Sequence, residues 1–166
     1  MFEEMNIEAL RKKFKPEKVQ VLLVGESPPA EGKFFYDRSL MTAYTKNAFE
    51  AALGKKFPTN AEFFEHMEQA GFYLEDLSHV PVDRLPSAER EAKLVDESEA
   101  FAERVVQMNP KVVVIILRKI EKIVREALCK AGSTAEVHVL PFPGNGHQSK
   151  YQAQLISIVR EYENQT

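Results

Sequence analysis

Apolar and polar positions follow two rhythms along this chain. Residues 19–25 and 111–117 are nearly continuous apolar runs rich in β-branched side chains, the pattern of strands buried on both faces. Two shorter runs, 72–77 and 136–140, read as further strands. Between and around them the apolar residues recur at helical spacing. The first helix covers 3–14 and stops before Pro16, and the second covers 40–53 and ends near Gly54. A third opens on the capping-box pattern Thr59-Asn60-Ala61-Glu62 and stops at Gly71. A long charged helix follows at 87–108, another at 118–131 ending near Gly132, and a last one at 150–162.

Strands that alternate with helices predict right-handed crossovers and a parallel sheet covered on both faces. The expected fold is therefore α/β, a three-layer αβα sandwich on a four-stranded parallel sheet. A chain of 166 residues suits one domain, and it contains no repeat, low-complexity tract or Gly/Ser linker. Ligands of such sheets bind beyond the carboxyl ends of the strands. Three loops, 25–39, 75–86 and 141–149, accordingly become the places to look for chemistry.

Composition narrows the options. Hydrophobic residues make up 44% and charged residues 28%, with 22 Lys+Arg against 25 Asp+Glu and a formal net charge of −3. That is no general polyanion-binding composition, so contact with a nucleic acid needs a local basic patch. The single cysteine, Cys129, excludes a disulfide framework, a cysteine-built zinc site and an iron–sulfur cluster. Its helical setting predicts a buried structural thiol. The N-terminal stretch is charged and lacks an apolar signal core, and no apolar run approaches a membrane span. The expectation is a cytoplasmic protein with no membrane partner.

The loop after the first strand carries Glu26 and Ser27, then Pro28 and Pro29, then Phe34, Phe35 and Tyr36. Prolines stiffen the backbone and remove donors, and a stiff loop can hold polar groups against a ligand. Phe35, flanked by Phe34 and Tyr36, is the candidate flat face for a planar ring. In the second loop Asp76 stands at the strand end, placed to pair with a ring N–H or an amino group, and His79 follows. The last loop, PFPGNGH, begins at Pro141. Gly144 and Gly146 let backbone N–H groups approach a ligand closely. Asn145, Ser149 and Lys150 flank a helix N-terminus, which favours an anion.

Taken together, these motifs resemble the uracil-DNA glycosylase superfamily over residues 19–162, with a layout closest to its family 4 members. The segments GESPP and EGKFF match the family's strand-end Gly-Glu-Ala-Pro-Gly and Gly-x-Pro-Phe motifs. PKVVVIIL matches the strand after its long helix, and PFPGNGH falls where the closing His-Pro-Ser loop stands. The resemblance implies hydrolysis of the N-glycosidic bond of a flipped-out uracil or other deaminated or modified base. It implies DNA, or a nucleobase or nucleotide, as partner. Glu26 and Ser27 fall where the family positions the attacking water, Phe35 on the stacking aromatic and Asp76 near the base-reading asparagine. Phe142, Pro143 and Gly144 fall on His-Pro-Ser.

By the same carry-over, His147 is the remaining group that can steady charge on the leaving base, making Glu26, Ser27 and His147 the catalytic candidates. Phe35, Tyr36, Asp76 and Phe142 are the base-binding candidates. Gly144, Asn145, Ser149 and Lys150 are the phosphate-binding candidates, with Arg118 and Lys119 beside them. The chain departs from the family in carrying Ser27 for the usual Asp or Asn, Phe142 for the motif histidine, and none of the four cluster cysteines. No metal or other cofactor is expected. Two alternatives stand beside this reading: a degenerate relative that binds without cutting, and a Ser27–His147 esterase.

Overall fold

The computed structural model describes residues 6–144 and 146–163. It is a mixed α/β structure whose four strands, β1 (Val21–Gly25), β2 (Phe72–Asp76), β3 (Val112–Ile115) and β4 (Glu136–Val139), form one parallel sheet in the order β2-β1-β3-β4. Six helices surround it: α1 (Ile7–Lys13), α2 (Leu40–Leu53), α3 (Asn60–Ala70), α4 (Ser87–Met108), α5 (Glu121–Lys130) and α6 (Gln148–Glu163). A 3-10 turn, Arg118–Ile120, replaces the first turn expected before α5. Among the described residues no helix is long and apolar enough to cross a membrane.

The apolar runs explain the sheet. All of β1, β2 and β3 is buried, so each strand needs apolar side chains on both faces and helices to cover them. Helices α2, α3 and α6 pack on one side and α4 with α5 on the other, which gives the three layers. Polar contacts fix α2 against α6: the buried Thr45 and Tyr151 hydroxyls lie 2.8 Å apart, and Gln152 donates to the Tyr44 carbonyl at 3.2 Å.

Helix ends follow the signals in the chain. Thr59 caps α3 by accepting from the Glu62 N–H at 3.1 Å, and Ser39 caps α2 by accepting from the Thr42 N–H at 3.0 Å. Gly71 ends α3 with φ at 80°. A Cβ there would stand 2.8 Å from the Gln20 side chain, so both the conformation and the space call for glycine.

Two expectations fail. Cys129 is exposed, because α5 turns Val124, Ala127 and Leu128 inward and leaves Cys129 on the outer face. The aromatic triplet does not display itself either. Phe34, Phe35 and Tyr36 are 2%, 5% and 2% exposed and sit in an aromatic cluster with Phe14, Phe64 and Tyr73. The Tyr36 hydroxyl accepts from the Leu74 N–H at 2.7 Å and donates to the Leu74 carbonyl at 3.2 Å. It thereby satisfies both main-chain groups of Leu74 on the open side of the edge strand β2. Tyr36 is a structural residue, not a base-binding one.

Tyr36→Phe removes that bridge and leaves a buried N–H without a partner. The expected cost is about 1–3 kcal/mol, read as a lower urea midpoint at unchanged m value.

Candidate functional site

Chain direction creates the site. β1 leads to β2 on one side, and the chain then crosses back to β3 and β4 on the other. The loops after β1 and β3 therefore diverge, and a crevice opens between their strand ends. A cavity of about 710 Å³ occupies that crevice. Gly25, Glu26, Ser27, Pro28 and Pro29 form one wall, with Phe34, Phe35, Asp76, Ile116, Leu117 and Phe142 around them. The chain thus brings Glu26, Ser27, Phe35, Asp76 and Phe142 together, as their positions in three loops predict.

Glu26 is held by two cations that sequence inspection did not assign to it. Arg90, from the first turns of α4, donates its Nε and Nη2 to Oε1, the Nε contact measuring 3.1 Å. Lys119 Nζ stands 3.0 Å from Oε2, but the pair lacks hydrogen-bond geometry, and Oε2 is a buried acceptor with no hydrogen-bond partner among the described residues. The Ser27 hydroxyl accepts from the Val82 N–H at 3.3 Å. Lys33, Asp83 and Arg90 line the cavity as well.

Asp76 belongs to a buried charge cluster. Arg11, 2% exposed on α1, donates to Glu75 at 3.0 Å and to Asp76 Oδ2 at 2.8 Å. The guanidinium also lies 5.0 Å from the Phe34 ring centroid. Glu75 further accepts from the Asp76 N–H at 2.9 Å and contacts His79 Nε2 at 2.6 Å. Arg104 of α4 donates to the Asp76 carbonyl at 2.9 Å.

Burial pushes Glu75 up, but the His79 hydrogen bond and the charges of Arg11 and Arg104 outweigh it and hold the carboxyl below its ordinary value. Burial wins at Asp76, whose carboxyl is raised despite Arg11. On Arg11 burial acts downward, yet Asp76 and Glu75 together raise it.

His147 lies elsewhere. It is exposed and lines a second groove of about 440 Å³ with Leu117, Arg118, Lys119, Pro141, Phe142, Gly144 and Lys150. Leu117, Lys119 and Phe142 line both spaces, so the groove adjoins the cavity. Phe142, 48% exposed, stands between them. Its ring rests on Gly144, where a Cβ would come within 3.2 Å of it. The catalytic grouping of Glu26, Ser27 and His147 is accordingly divided: the first two face the cavity and the third the groove. A Ser27–His147 dyad is not assembled, which removes the geometric basis of the esterase alternative. Ser149 is exposed on the first turn of α6. Asn145 lies outside the described residues.

No protein-family model matches the chain, and no curated protein matches it.

Among the described residues no group of three or more His, Cys, Asp or Glu side chains is arranged to hold a metal ion. What the site offers is an apolar-walled cavity lined by the carboxylates of Glu26, Asp76 and Asp83, the hydroxyls of Ser27 and Ser39 and the cations Lys33, Arg90 and Lys119, adjoining a basic groove. Arg11, Arg90 and Lys33 are the site residues that reading the loops missed. No local signal marks them, since Arg11 precedes its partners by 64 and 65 residues, and Arg90 follows Glu26 by 64.

Glu75→Gln leaves buried Arg11 short of a partner and costs about 3 kcal/mol at neutral pH. Because the folded protein holds Glu75 below its ordinary value of 4.5, that stabilisation is present above this value and fades as pH falls through the lowered one. Urea unfolding at several pH values should show wild type and variant far apart at neutral pH and converging in acid.

Proposed function

We propose that this protein is a DNA glycosylase of the uracil-DNA glycosylase type. It takes a flipped-out uracil or other deaminated or modified base into the cavity and hydrolyses the N-glycosidic bond. The observation that carries this reading is Glu26, a mostly buried carboxylate in the wall of a mostly apolar cavity, with Arg90 on one oxygen and Lys119 beside the other. A water molecule held against this carboxylate from the cavity side would be the nucleophile toward the sugar of a bound nucleotide. Arg90 and Lys119 fix the carboxylate that aims this water.

As the C1′–N bond breaks, its electron pair moves onto the base. The water oxygen bonds to C1′, and the water's proton passes to Glu26 and on to the released base. Phe142 supplies the exposed ring on which a base can stack, because Phe35 lies within the wall. The groove supports the same reading: Arg118, Lys119, His147 and Lys150 gather cationic or proton-accepting groups beside the cavity, where phosphates flanking the extruded nucleotide would run.

A second reading, base binding without cleavage, has one observation in its favour. Both Glu26 oxygens face a cation, and His147, which would steady charge on the leaving base, lies outside the cavity.

Labelled oligonucleotides carrying one uracil, hypoxanthine, xanthine or other modified base separate the two. After incubation and alkali, the first reading expects strand cleavage at the modified base. Glu26→Gln should lower it about 100-fold or more. Binding without cleavage of any substrate, by folded protein at low salt, selects the second reading.

Substituting Arg118 or Lys150 by Ala should weaken oligonucleotide binding about equally for all sequences. Each change should reduce the slope of log affinity against log salt by about one, measured by fluorescence anisotropy across a salt series.

A further inference from the structure

The two oxygens of Asp76 have different fates. Oδ2 is tied to Arg11 at 2.8 Å. Oδ1 has no hydrogen-bond partner among the described residues, and it lies over Gly25, where a Cβ would come within 2.8 Å of it. Asp76 is 5% exposed and lines the cavity, as Gly25 does. The result is a single acceptor on a nearly buried carboxylate in the cavity wall, held by a cation behind it and given room by a missing side chain.

We propose that Asp76 Oδ1, positioned by Arg11, selects ligands that bring an amino group to it. The inference rests on the cavity being a nucleobase site and narrows the bases it takes. An ionised carboxylate only accepts. The imide N–H of uracil is flanked by two carbonyl oxygens, which would be driven toward that negative oxygen. An exocyclic amino group, or the paired ring N–H and amino group of guanine, presents donors without that clash. The favoured ligand is therefore a base that keeps an amino group, such as a modified cytosine, adenine or guanine.

Arg11 is a positioning residue. It does not line the cavity, but it favours the charged form of Asp76 against burial and holds Oδ2, so that Oδ1 is the oxygen left for a ligand. Arg104 holds the backbone behind it through the Asp76 carbonyl.

Titration calorimetry on the full chain with adenosine, cytidine, guanosine, uridine and N6,N6-dimethyladenosine tests this. The amino nucleosides should bind about tenfold or more tightly than uridine and the dimethyl analogue. Asp76→Asn should abolish that preference. Arg11→Met should reduce the preference while binding of the dimethyl analogue persists, and Arg11→Lys should restore part of it. A purely structural Arg11 would change all ligands alike.

If Asp76→Asn does not fold, Gly25→Ala crowds Oδ1 with both charges intact and should lower the same preference. Uridine binding as tightly as the amino nucleosides overturns the proposal, as does a preference that survives Asp76→Asn, or no binding of any nucleoside. Strand cleavage at uracil with no amino preference would overturn this inference and leave the glycosylase reading standing. Amino-selective binding with no cleavage of any oligonucleotide would do the reverse.

Discussion

The main chain of β1 is hydrogen-bonded on both sides, to β2 and to β3, and the polypeptide leaves β1 toward β2 but β3 toward β4, in opposite directions across the sheet. This one constraint arranges the rest. A parallel strand paired on both edges must be apolar on both faces, so helices have to cover it above and below. Because α2 and α3 carry the chain from β1 to β2 while α5 carries it from β3 to β4, the segments beyond β1 and β3 peel apart. The space between them cannot be filled by the sheet, and the loops close around it as a cavity. Gly25 ends β1 at that point, so the strand finishes without a side chain where Asp76 leans over it.

Ion pairing then sets the walls. Arg11 on α1 meets Glu75 and Asp76 at the end of β2, and Arg90 on α4 meets Glu26 at the end of β1. Each cation comes from a helix and each carboxylate from a strand end. The contacts therefore fix helices to the sheet at the rim of the cavity, not in its middle. Buried ion pairs are costly to assemble and costlier to break. Their concentration at one edge makes that rim the part of the molecule least able to rearrange.

Much of this architecture is legible in the chain. Long apolar β-branched runs identified β1 and β3 because a doubly buried strand has no polar face to alternate. Thr59, Gly54 and Gly71 marked helix ends because capping is local chemistry. Side-chain direction in the loops was not legible in the same way. Phe35 and Tyr36 read as a display of aromatics but turn inward, since Phe14, Phe64 and Tyr73 wait there from other elements. His147 read as a partner for Glu26 and Ser27, yet Phe142 and the turn at Gly144 set it in the adjoining groove. Cys129 read as buried because a helix alone does not reveal which face meets the sheet. Arg11 and Arg90 found their carboxylates across more than sixty residues, a distance over which periodicity carries no information.

The hydroxyl of Tyr36 has an effect beyond its two hydrogen bonds. β2 is the outermost strand on its side, and an outermost strand offers bare main-chain groups to any extended segment that drifts past. By occupying both groups of Leu74, Tyr36 stands where a fifth strand from another molecule would dock. The middle of the β2 edge is thereby denied to an incoming strand, whereas the residues of β4, the other outer strand, are less deeply buried. The aromatic segment that walls the cavity is thus also a guard on the main chain at the outer edge of the sheet.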